Sequence, residues 1–591
     1  MLRPFAALCA ALLLAPLPVG AATVPADSAA TRSSARTPSV RVEVLGLSAT
    51  LKKNVLASLS IADKKQRKKA NEEVIRHLHA RADEEIRRAL QPFGYYRPLI
   101  QSELITQNRW TARYTVDHGP AILLDSVLVD VTGEGENDPR YQKILRDFPL
   151  HKGDVLIQPS YDLAKATFET AAAEGGYLDA HFLASRIDVD LERYAAAIVI
   201  RYDTGPRHYF GEVSFDKDVI QEQMLHDFVT FHPGDVFDFR KLLQLQTDLS
   251  STGYFTKVEV APGEEATGHR VVPIGVSLAP AKKLRFTGGV GYGTDDGARV
   301  RLLTEMRRLN RAGHRAQIDL QYGSRDRHAI GQYFIPWPHP RTDLLTLSTG
   351  YQELATATFH SKVFRSGVSE SRLLGKWRVI PALNYRRENF QVGVDSGIVK
   401  TLVPEGTWSR VRADDAIFTK NGDRLSLNAR LADRRVVSDV SFQQVRGDAK
   451  LIHAFGPRTR GIARIEAGGT HTNDFRMLPP SLRFFAGGTN SVRGYSYNSL
   501  GPRDELRHVI GGRYLLTGSL ELNQFFLPRW GGAIFFDAGN AMNSWRLPAK
   551  RGAGFGLRWL SPAGLVRADV AWGLDRRGTP VQVHLAMGAE L

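Results

Sequence analysis

The residues whose types could do chemistry together are an arginine and two carboxylates near the end of the chain. Arg493 lies in a glycine-rich stretch, and Glu521 and Asp537 follow on segments that alternate apolar and polar residues. A guanidinium group binds carboxylates through paired, charge-assisted hydrogen bonds, so a buried Arg493 needs such partners. The pattern predicts a loop that folds back into a β-barrel and is held there by a buried ion pair.

Three short motifs lie in the same part of the chain. The loop motif is Val492-Arg493-Gly494-Tyr495, and two strand motifs follow at Phe535-Phe536-Asp537-Ala538-Gly539 and Gly554-Phe555-Gly556-Leu557-Arg558.

The second half of the chain has the residue pattern of a membrane-spanning barrel. From Lys283 onward, helical periodicity gives way to short alternating runs separated by Gly, Asn and Asp. Runs of about ten alternating residues are typical of transmembrane β-strands, which turn one face towards lipid and the other towards water. The length of this half predicts about 16 antiparallel strands.

The first strand of this barrel is expected to be weak. The stretch from Gly288 to Gly293 is dominated by glycine, which weakens a strand through entropy and missing side-chain contacts. The pair formed by the first and last strands should therefore be the easiest seam to open. The predicted seam residues are Phe286, Gly288 and Val290 on the first strand and Val583, Leu585 and Met587 on the last.

The part of the chain before the barrel repeats an α+β pattern. The pairs Gly94-Tyr95, Gly176-Tyr177 and Gly253-Tyr254 recur at intervals of roughly 80 residues, each after a helical pattern and before alternating residues. A glycine at such a turn ends a helix in the left-handed conformation, and the aromatic residue can then pack on the sheet. The spacing predicts three tandem modules, and their lack of catalytic residues indicates a binding surface.

The first residues indicate export. A basic residue, Arg3, precedes a short apolar stretch and the small residues Gly20-Ala21-Ala22, which predicts a secretory signal peptide over residues 1–22. Residues 23–39 are rich in Ala, Thr, Ser and Pro, and we expect a disordered leader there. Cleavage would remove Cys9, the single cysteine. The remaining chain is thus expected to contain no disulfide and no cysteine metal site.

Charge and motifs narrow the function classes. The formal net charge is +16, but an exported basic chain seldom meets nucleic acid, so we expect no nucleic-acid partner. The excess arginine of the barrel half either lines a wet lumen or contacts lipopolysaccharide phosphate. His77 and His79 lie on different faces of a probable helix and are expected to be solvated. Hydrolase and zinc-protease motifs are absent from the sequence, and we expect no catalytic residue, no metal and no cofactor.

Taken in order, the loop motif and the two strand motifs resemble the outer-membrane assembly and secretion superfamily that includes BamA, TamA and the two-partner secretion transporters. Ser561-Pro562-Ala563-Gly564, Arg567 and Asp569 continue the resemblance. In that superfamily, periplasmic modules called POTRA domains precede a barrel of about 16 strands whose sixth extracellular loop folds inward. The predicted number of modules, three, resembles that of the TamA family, because BamA-type proteins carry more POTRA modules and two-partner transporters carry fewer. The ending Gly588-Ala589-Glu590-Leu591 also resembles TamA.

The resemblance implies roles for particular residues and segments. Arg493 would pair with Asp537 and with Glu521, and the wall motifs would contribute Phe535, Gly539, Gly554, Gly556 and Arg558. The expected domains are a signal peptide (1–22), a leader (23–39), POTRA modules at 40–118, 119–205 and 206–280, and an outer-membrane β-barrel at 281–591.

The resemblance also implies a function. The expected protein is an outer-membrane assembly factor of Gram-negative bacteria, not an enzyme, whose first-to-last strand seam opens sideways to template a client strand. Its periplasmic modules would hold a TamB-like partner anchored in the inner membrane. Its clients would be outer-membrane proteins or autotransporters, and its surface would contact outer-membrane lipid and lipopolysaccharide. The alternative is a secretion pore of the two-partner type, which passes an unfolded polypeptide through the lumen.

Overall fold

The structure is a computed structural model that describes residues 40–63, 71–107, 110–216, 219–263, 270–415, 418–544, 548–562, 564–576, 578 and 581–588. The predicted signal peptide and leader lie outside these residues. The described chain divides into a region of small α/β modules followed by one large antiparallel sheet.

In the first region, the described residues form three small sheets of three strands each. The first module contains β1 (Arg41–Leu45), α1 (Ala49–Ser58), α2 (Glu72–Ala80), α3 (Ala82–Leu90), β2 (Leu99–Ile105) and β3 (Thr111–Asp117). The second contains β4 (Leu123–Thr132), α4 (Pro139–Arg146), α5 (Gln158–Gly175), β5 (His181–Asp190) and β6 (Ala195–Asp203). The third contains β7 (Tyr209–Phe215), α6 (Glu222–His226), α7 (Phe239–Ser251), β8 (Phe255–Pro262) and β9 (Val271–Pro280).

All three sheets share one topology. In each module the strand that comes third in the chain lies in the centre of the sheet. It runs parallel to the strand that comes first in the chain and antiparallel to the strand that comes second. The predicted turn glycines Gly94, Gly176 and Gly253 have φ angles of 83°, 81° and 77°, the left-handed conformation that favours glycine. The α/β modules are thus confirmed, whereas the assignment of all three as POTRA domains stays a prediction.

The aromatic residues after these glycines pack as the sequence indicated. Tyr177 and Tyr254 are buried, and Tyr95 packs against the core of the first module. In that first module the expectation for His79 is wrong, because its Nδ1 atom lies 2.9 Å from the hydroxyl of Tyr114 in a partly buried contact. The helix turns this ring towards the sheet, so His79 is a packing residue.

The barrel sheet contains sixteen strands within the described residues, each antiparallel to its neighbours in chain order. Its first eight strands are β10 (Leu284–Gly293), β11 (Gly297–Met306), β12 (Arg315–Gly323), β13 (Asp326–Ile335), β14 (Leu344–Ala355), β15 (Phe359–Leu374), β16 (Trp377–Val392) and β17 (Asp395–Ala413). The other eight are β18 (Gly422–Ala432), β19 (Phe442–Ala454), β20 (Thr459–Thr472), β21 (Tyr514–Phe525), β22 (Trp530–Met542), β23 (Lys550–Ser561), β24 (Gly564–Gly573) and β25 (Val581–Gly588). The predicted strand number is confirmed.

The two faces of this sheet differ as they do in a membrane barrel. Apolar side chains such as Leu520, Ile534 and Phe555 are exposed on the outer face, where lipid can cover them. Trp530 and Trp559 stack on one another with ring centroids 5.6 Å apart. Among the described helices, we find none that is both long and apolar enough to cross a membrane.

The third module is joined to the barrel by specific contacts. Tyr254, in the turn after α7, donates its hydroxyl proton to the carbonyl of Gly313 over 2.5 Å. Gly313 lies in the turn between β11 and β12 and has a φ of 74°. Arg315, the first residue of β12, donates to the carbonyl of Thr252 over 3.1 Å. The second strand pair of the barrel is therefore fixed to the Gly-Tyr turn of the third module.

The connection between β20 and β21, residues 473–513, folds into the barrel and is hereafter called the inserted loop. Its own small core contains Phe484, Ala486, Val492, Tyr495 and Leu500, all buried. Because this core packs on wall residues of β21 and β22, the loop keeps a defined position inside the sheet.

Candidate functional site

The inserted loop places Arg493 inside the barrel, where the residue is almost fully buried. Its Nε and Nη2 atoms donate to the two carboxylate oxygens of Asp537 over 2.8 and 2.9 Å. Its backbone N–H donates to the same carboxylate over 2.9 Å. The guanidinium carbon also lies 3.4 Å from the ring centroid of Phe535. One residue of the loop therefore satisfies the fully buried carboxylate of Asp537 on β22.

A second arginine and two further carboxylates extend this contact into a cluster. Arg493 Nη1 donates to Glu521 over 2.7 Å and to Asp569 over 3.1 Å. Arg558 on β23 donates to Glu521 over 2.7 Å and to Asp569 over 2.5 Å. These five side chains are hereafter called the loop lock. Since each charge has an opposite charge within hydrogen-bond distance, the cluster can stay ionised although it is buried.

The sequence indicated only part of this cluster. It gave Glu521 and Asp537 as acceptors, and the structure brings both to Arg493. It gave Arg558 no partner and Asp569 no role. The sequence contains no local signal for these contacts, because they depend on the strand pairing, in which Gly556 stands directly opposite Asp569 and leaves room for a large side chain there.

The glycines of β23 make room for the lock. Gly552, Gly554 and Gly556 alternate along the strand and face the lumen. A Cβ atom on Gly556 would overlap the Asp569 carboxylate and lie 2.7 Å from Arg558 Nη1. One on Gly554 would lie 2.5 Å from the ring of Phe535, and one on Gly552 would overlap the carbonyl of residue 493. The glycine motif is thus explained by the close approach of loop and wall.

The glycine of the first strand motif, Gly539, and the loop glycine, Gly494, have similar explanations. A Cβ atom on Gly539 would lie 2.5 Å from the Cα atom of Thr517 on β21. Gly494 has a φ of 86° and lies against the backbone of Trp572 on β24. Tyr495 is buried beside it, and its hydroxyl accepts a hydrogen bond from the backbone N–H of Asp575 over 3.2 Å.

A second arginine of the loop, which the sequence analysis missed, contacts a different part of the wall. Arg483 Nη1 donates to Asp395, at the start of β17, over 3.0 Å, and both side chains are largely buried. Ser481 of the loop accepts a hydrogen bond from Arg386 on β16 over 2.7 Å. The loop therefore has anchors on two parts of the barrel wall.

The two end strands of the sheet form the predicted seam. No backbone ladder joins β10 to β25 in the part of the chain that the structure describes. The backbone N–H of Leu585 instead donates to the hydroxyl of Thr294, just after β10, over 3.3 Å. The predicted seam residues on both strands are exposed, and they are Phe286, Gly288, Val290, Val583, Leu585 and Met587.

A cavity of about 740 Å³ lies in the lumen beside the inserted loop. Its lining includes residues of both seam strands, Tyr292 and Met587, together with Arg493 of the lock. Several arginines of the barrel half also line it, namely Arg299, Arg424, Arg446, Arg464 and Arg567. These side chains therefore face the lumen, the first of the two alternatives that the sequence left open.

Two family models match the chain. The Omp85 superfamily domain matches residues 309–590, and the POTRA domain described as TamA domain 1 matches residues 41–118. The outer membrane protein assembly factor BamA of Nitratidesulfovibrio vulgaris is 23% identical over 385 residues. This alignment covers 61% of the present chain and 47% of the relative, so the chain spans about half the length of the relative it matches.

One of the solved structures that are similar to this chain shares its fold. BamA from Haemophilus ducreyi lacking POTRA domains 1–3 superposes with a TM-score of 0.63 at 16% identity, over 78% of this chain and 98% of that one. CdiB from Acinetobacter baumannii gives a TM-score of 0.45 at 13% identity, over 79% and 89% of the two chains. Together with the sixteen-stranded sheet and the α/β modules, these matches show a Gram-negative outer-membrane β-barrel protein whose residues 309–590 form an Omp85 superfamily domain and whose periplasmic N-terminal modules begin with a TamA-type POTRA domain.

Proposed function

We propose that this protein is a TamA-like assembly factor that inserts client proteins into the outer membrane through the seam between β10 and β25. The observation that carries the proposal is the missing backbone ladder between these two strands among the described residues. The lumen cavity reaches both strands, so a client could approach the seam from inside.

The physical argument rests on unpaired backbone groups. In a bilayer each unsatisfied backbone N–H or C=O group is costly, so an open strand edge strongly favours pairing with another strand. Soluble proteins suppress such edges, and strand addition to an edge is a general mode of recognition. Side chains are absent at Gly288 and Gly289, where an added Cβ atom would meet nothing. This part of β10 offers backbone hydrogen bonds with little steric selection, which suits clients of differing sequence.

The proposed partner is TamB-like and is anchored in the inner membrane. The match of residues 41–118 to a TamA-type POTRA domain supports this choice. We place the partner on the periplasmic modules, and the clients, outer-membrane proteins or autotransporters, at the seam. The exposed apolar band of the barrel meets outer-membrane lipid and lipopolysaccharide.

The loop lock has a supporting role in this proposal. It fixes the inserted loop to β21, β22 and β24, and Arg558 of β23 bonds the same carboxylates, so four adjacent strands on one side of the seam are held together. A rigid wall on that side leaves the end strands as the movable part. Arg493 and its carboxylates therefore position the barrel wall and do no chemistry.

A disulfide across the seam tests the proposal. Tyr292 and Leu585 are suitable positions, because both side chains are exposed and the adjacent residue Gly293 lies near the Leu585 carbonyl. With Cys9 replaced by serine, the Tyr292→Cys/Leu585→Cys variant is reconstituted in vesicles and scored for insertion of a client barrel. We expect oxidation to stop insertion and a reductant to restore it.

The matched control is a disulfide between two strands that already share a ladder. Ala329 and Tyr351 stand opposite each other on β13 and β14 and are both exposed. Oxidation of the Ala329→Cys/Tyr351→Cys variant should leave insertion unchanged. If the seam disulfide forms and insertion continues, the proposal is wrong, and passage of an unfolded polypeptide through the lumen becomes the preferred function.

A further inference from the structure

The residue that connects the two end strands is Thr489 of the inserted loop. Its backbone N–H donates to a carboxylate oxygen of Asp295, in the turn after β10, over 2.7 Å. Its hydroxyl lies 3.4 Å from the hydroxyl of Thr294 in the same turn and 3.2 Å from Nδ1 of His584 on β25. Thr489 is buried, so solvent does not compete for these bonds.

The hydrogen bonds fix the protonation state of His584. Its Nε2 atom accepts the backbone N–H of Gly494 over 3.1 Å, which requires a ring nitrogen without a proton. The neutral ring then carries its proton on Nδ1 and donates it to Thr489 Oγ1. Thr489 can donate its own hydroxyl proton to the hydroxyl oxygen of Thr294, which also accepts the N–H of Leu585. The donors of His584, Gly494, Thr489 and Leu585 then each have one acceptor.

We propose that Thr489 and His584 form a clasp that holds the seam closed, and that a client or a proton must break this clasp before the seam opens. The inference rests on the proposed lateral opening and adds to it the residues that oppose opening. It follows from two facts: no described backbone ladder joins β10 to β25, and the loop is bonded to both ends of the gap.

The clasp should respond to pH because the imidazole must be neutral. A proton on Nε2 would face the N–H of Gly494, and the acceptor would be lost. The charged groups around the ring are Asp295 of the first turn, Asp569 of β24, Arg493 of the loop and Asp537 of β22. Burial of the ring and Arg493 oppose an imidazolium ion, and the three carboxylates favour it. A proton that does reach the ring removes the acceptor for Gly494, so acid should loosen the seam.

The experiment measures the seam in the absence of a client. Spin labels are placed on Val300→Cys of β11 and Leu557→Cys of β23, two exposed positions on either side of the seam, in the Cys9→Ser background. Distances between the labels in vesicles report the ratio of open to closed barrels. Thr489→Val removes the hydroxyl and keeps the shape of the side chain. We expect the ratio to rise roughly five- to thirty-fold, as the loss of one or two kcal/mol implies.

Thr472→Val is the matched control. Thr472 is equally buried at the end of β20, and its hydroxyl donates to the carbonyl of Ser441 over 2.8 Å, away from the seam. The same substitution there should leave the distances unchanged. If Thr489→Val gives the wild-type distance distribution, the clasp does not exist.

A second variant keeps the proposal testable if Thr489→Val fails to fold. Wild-type protein should show a larger open fraction at pH 5.5 than at pH 7.5, and His584→Gln should remove this pH dependence because an amide does not titrate in that range. A wild-type distance that is constant across this range, or a pH response that survives in His584→Gln, would overturn the clasp. These readouts need no client, so seam opening without any effect on client insertion would refute the proposed function and leave the clasp intact.

Discussion

Replacing Arg493 with methionine should destabilise the barrel far more than the loss of an ordinary ion pair would. The substitution keeps a long side chain over Phe535 but removes the guanidinium group. Asp537 would then keep the backbone N–H of residue 493 as its remaining hydrogen bond from the loop. Glu521 and Asp569 would still have Arg558.

The three carboxylates lose different numbers of partners, and this difference sets the expected loss of stability. Asp537 is fully buried and would lose its ion pair with Arg493. Leaving one member of a buried pair unpaired typically costs ~3–5 kcal/mol. Arg493→Met combined with Asp537→Asn should lose less than Arg493→Met alone, because the unpaired buried charge is then gone.

The assay is urea unfolding in detergent micelles, followed by tryptophan fluorescence and analysed as a shift of the midpoint at constant slope. Arg434→Met is the control, since Arg434 pairs with Asp474 over 3.0 Å and the two side chains are 53% and 39% exposed. Exposed pairs contribute about 0–1 kcal/mol. If Arg493→Met shifts the midpoint no further than Arg434→Met, the buried-charge argument fails.

Three further predictions concern packing and pH. Gly556→Ala should lower the midpoint of urea unfolding and displace Asp569. Gly288→Ala should change the midpoint little, because an added Cβ atom meets nothing there, and one series of unfolding experiments compares the two variants. Tyr254→Phe should increase hydrogen exchange in the turn between β11 and β12, because it removes the bond to that turn, and unchanged exchange would count against this coupling. Burial lowers the pKa of His79 below its ordinary value of 6.5, with Asp83 opposing, so the folded first module binds protons less readily than the unfolded one. The stability of the first module should fall as the pH drops below about 6.5, and faster amide hydrogen exchange in α2 would show this. His79→Gln should abolish this pH dependence.

The sequence predicted the barrel and the inward-folded loop because residues close together in the chain form a recognisable pattern in each. Alternation identifies a strand whose two faces meet different solvents, and a buried arginine requires carboxylates nearby. The sequence could not give Asp569 its role, because that role depends on which residue stands opposite Gly556. Arg483 was missed for a related reason, since its partner Asp395 lies on a strand far away in the chain. Partners chosen by strand register or by loop insertion leave no local pattern.

The lock and the clasp lie on one loop but differ in the bonds they use. The lock consists of charge-assisted bonds from the loop to β21, β22 and β24, with Arg558 of β23 bonded to the same carboxylates. The loop contacts that reach β25 are neutral ones through His584 and Gln582 among the described residues. Neutral hydrogen bonds contribute about 0.5–1.5 kcal/mol each, less than a buried charge costs when it loses its partner. Moving β25 away from β10 therefore breaks the weak bonds and leaves the strong ones intact. The loop can stay fixed to the wall while the seam opens beside it, so opening does not require the loop to leave the lumen.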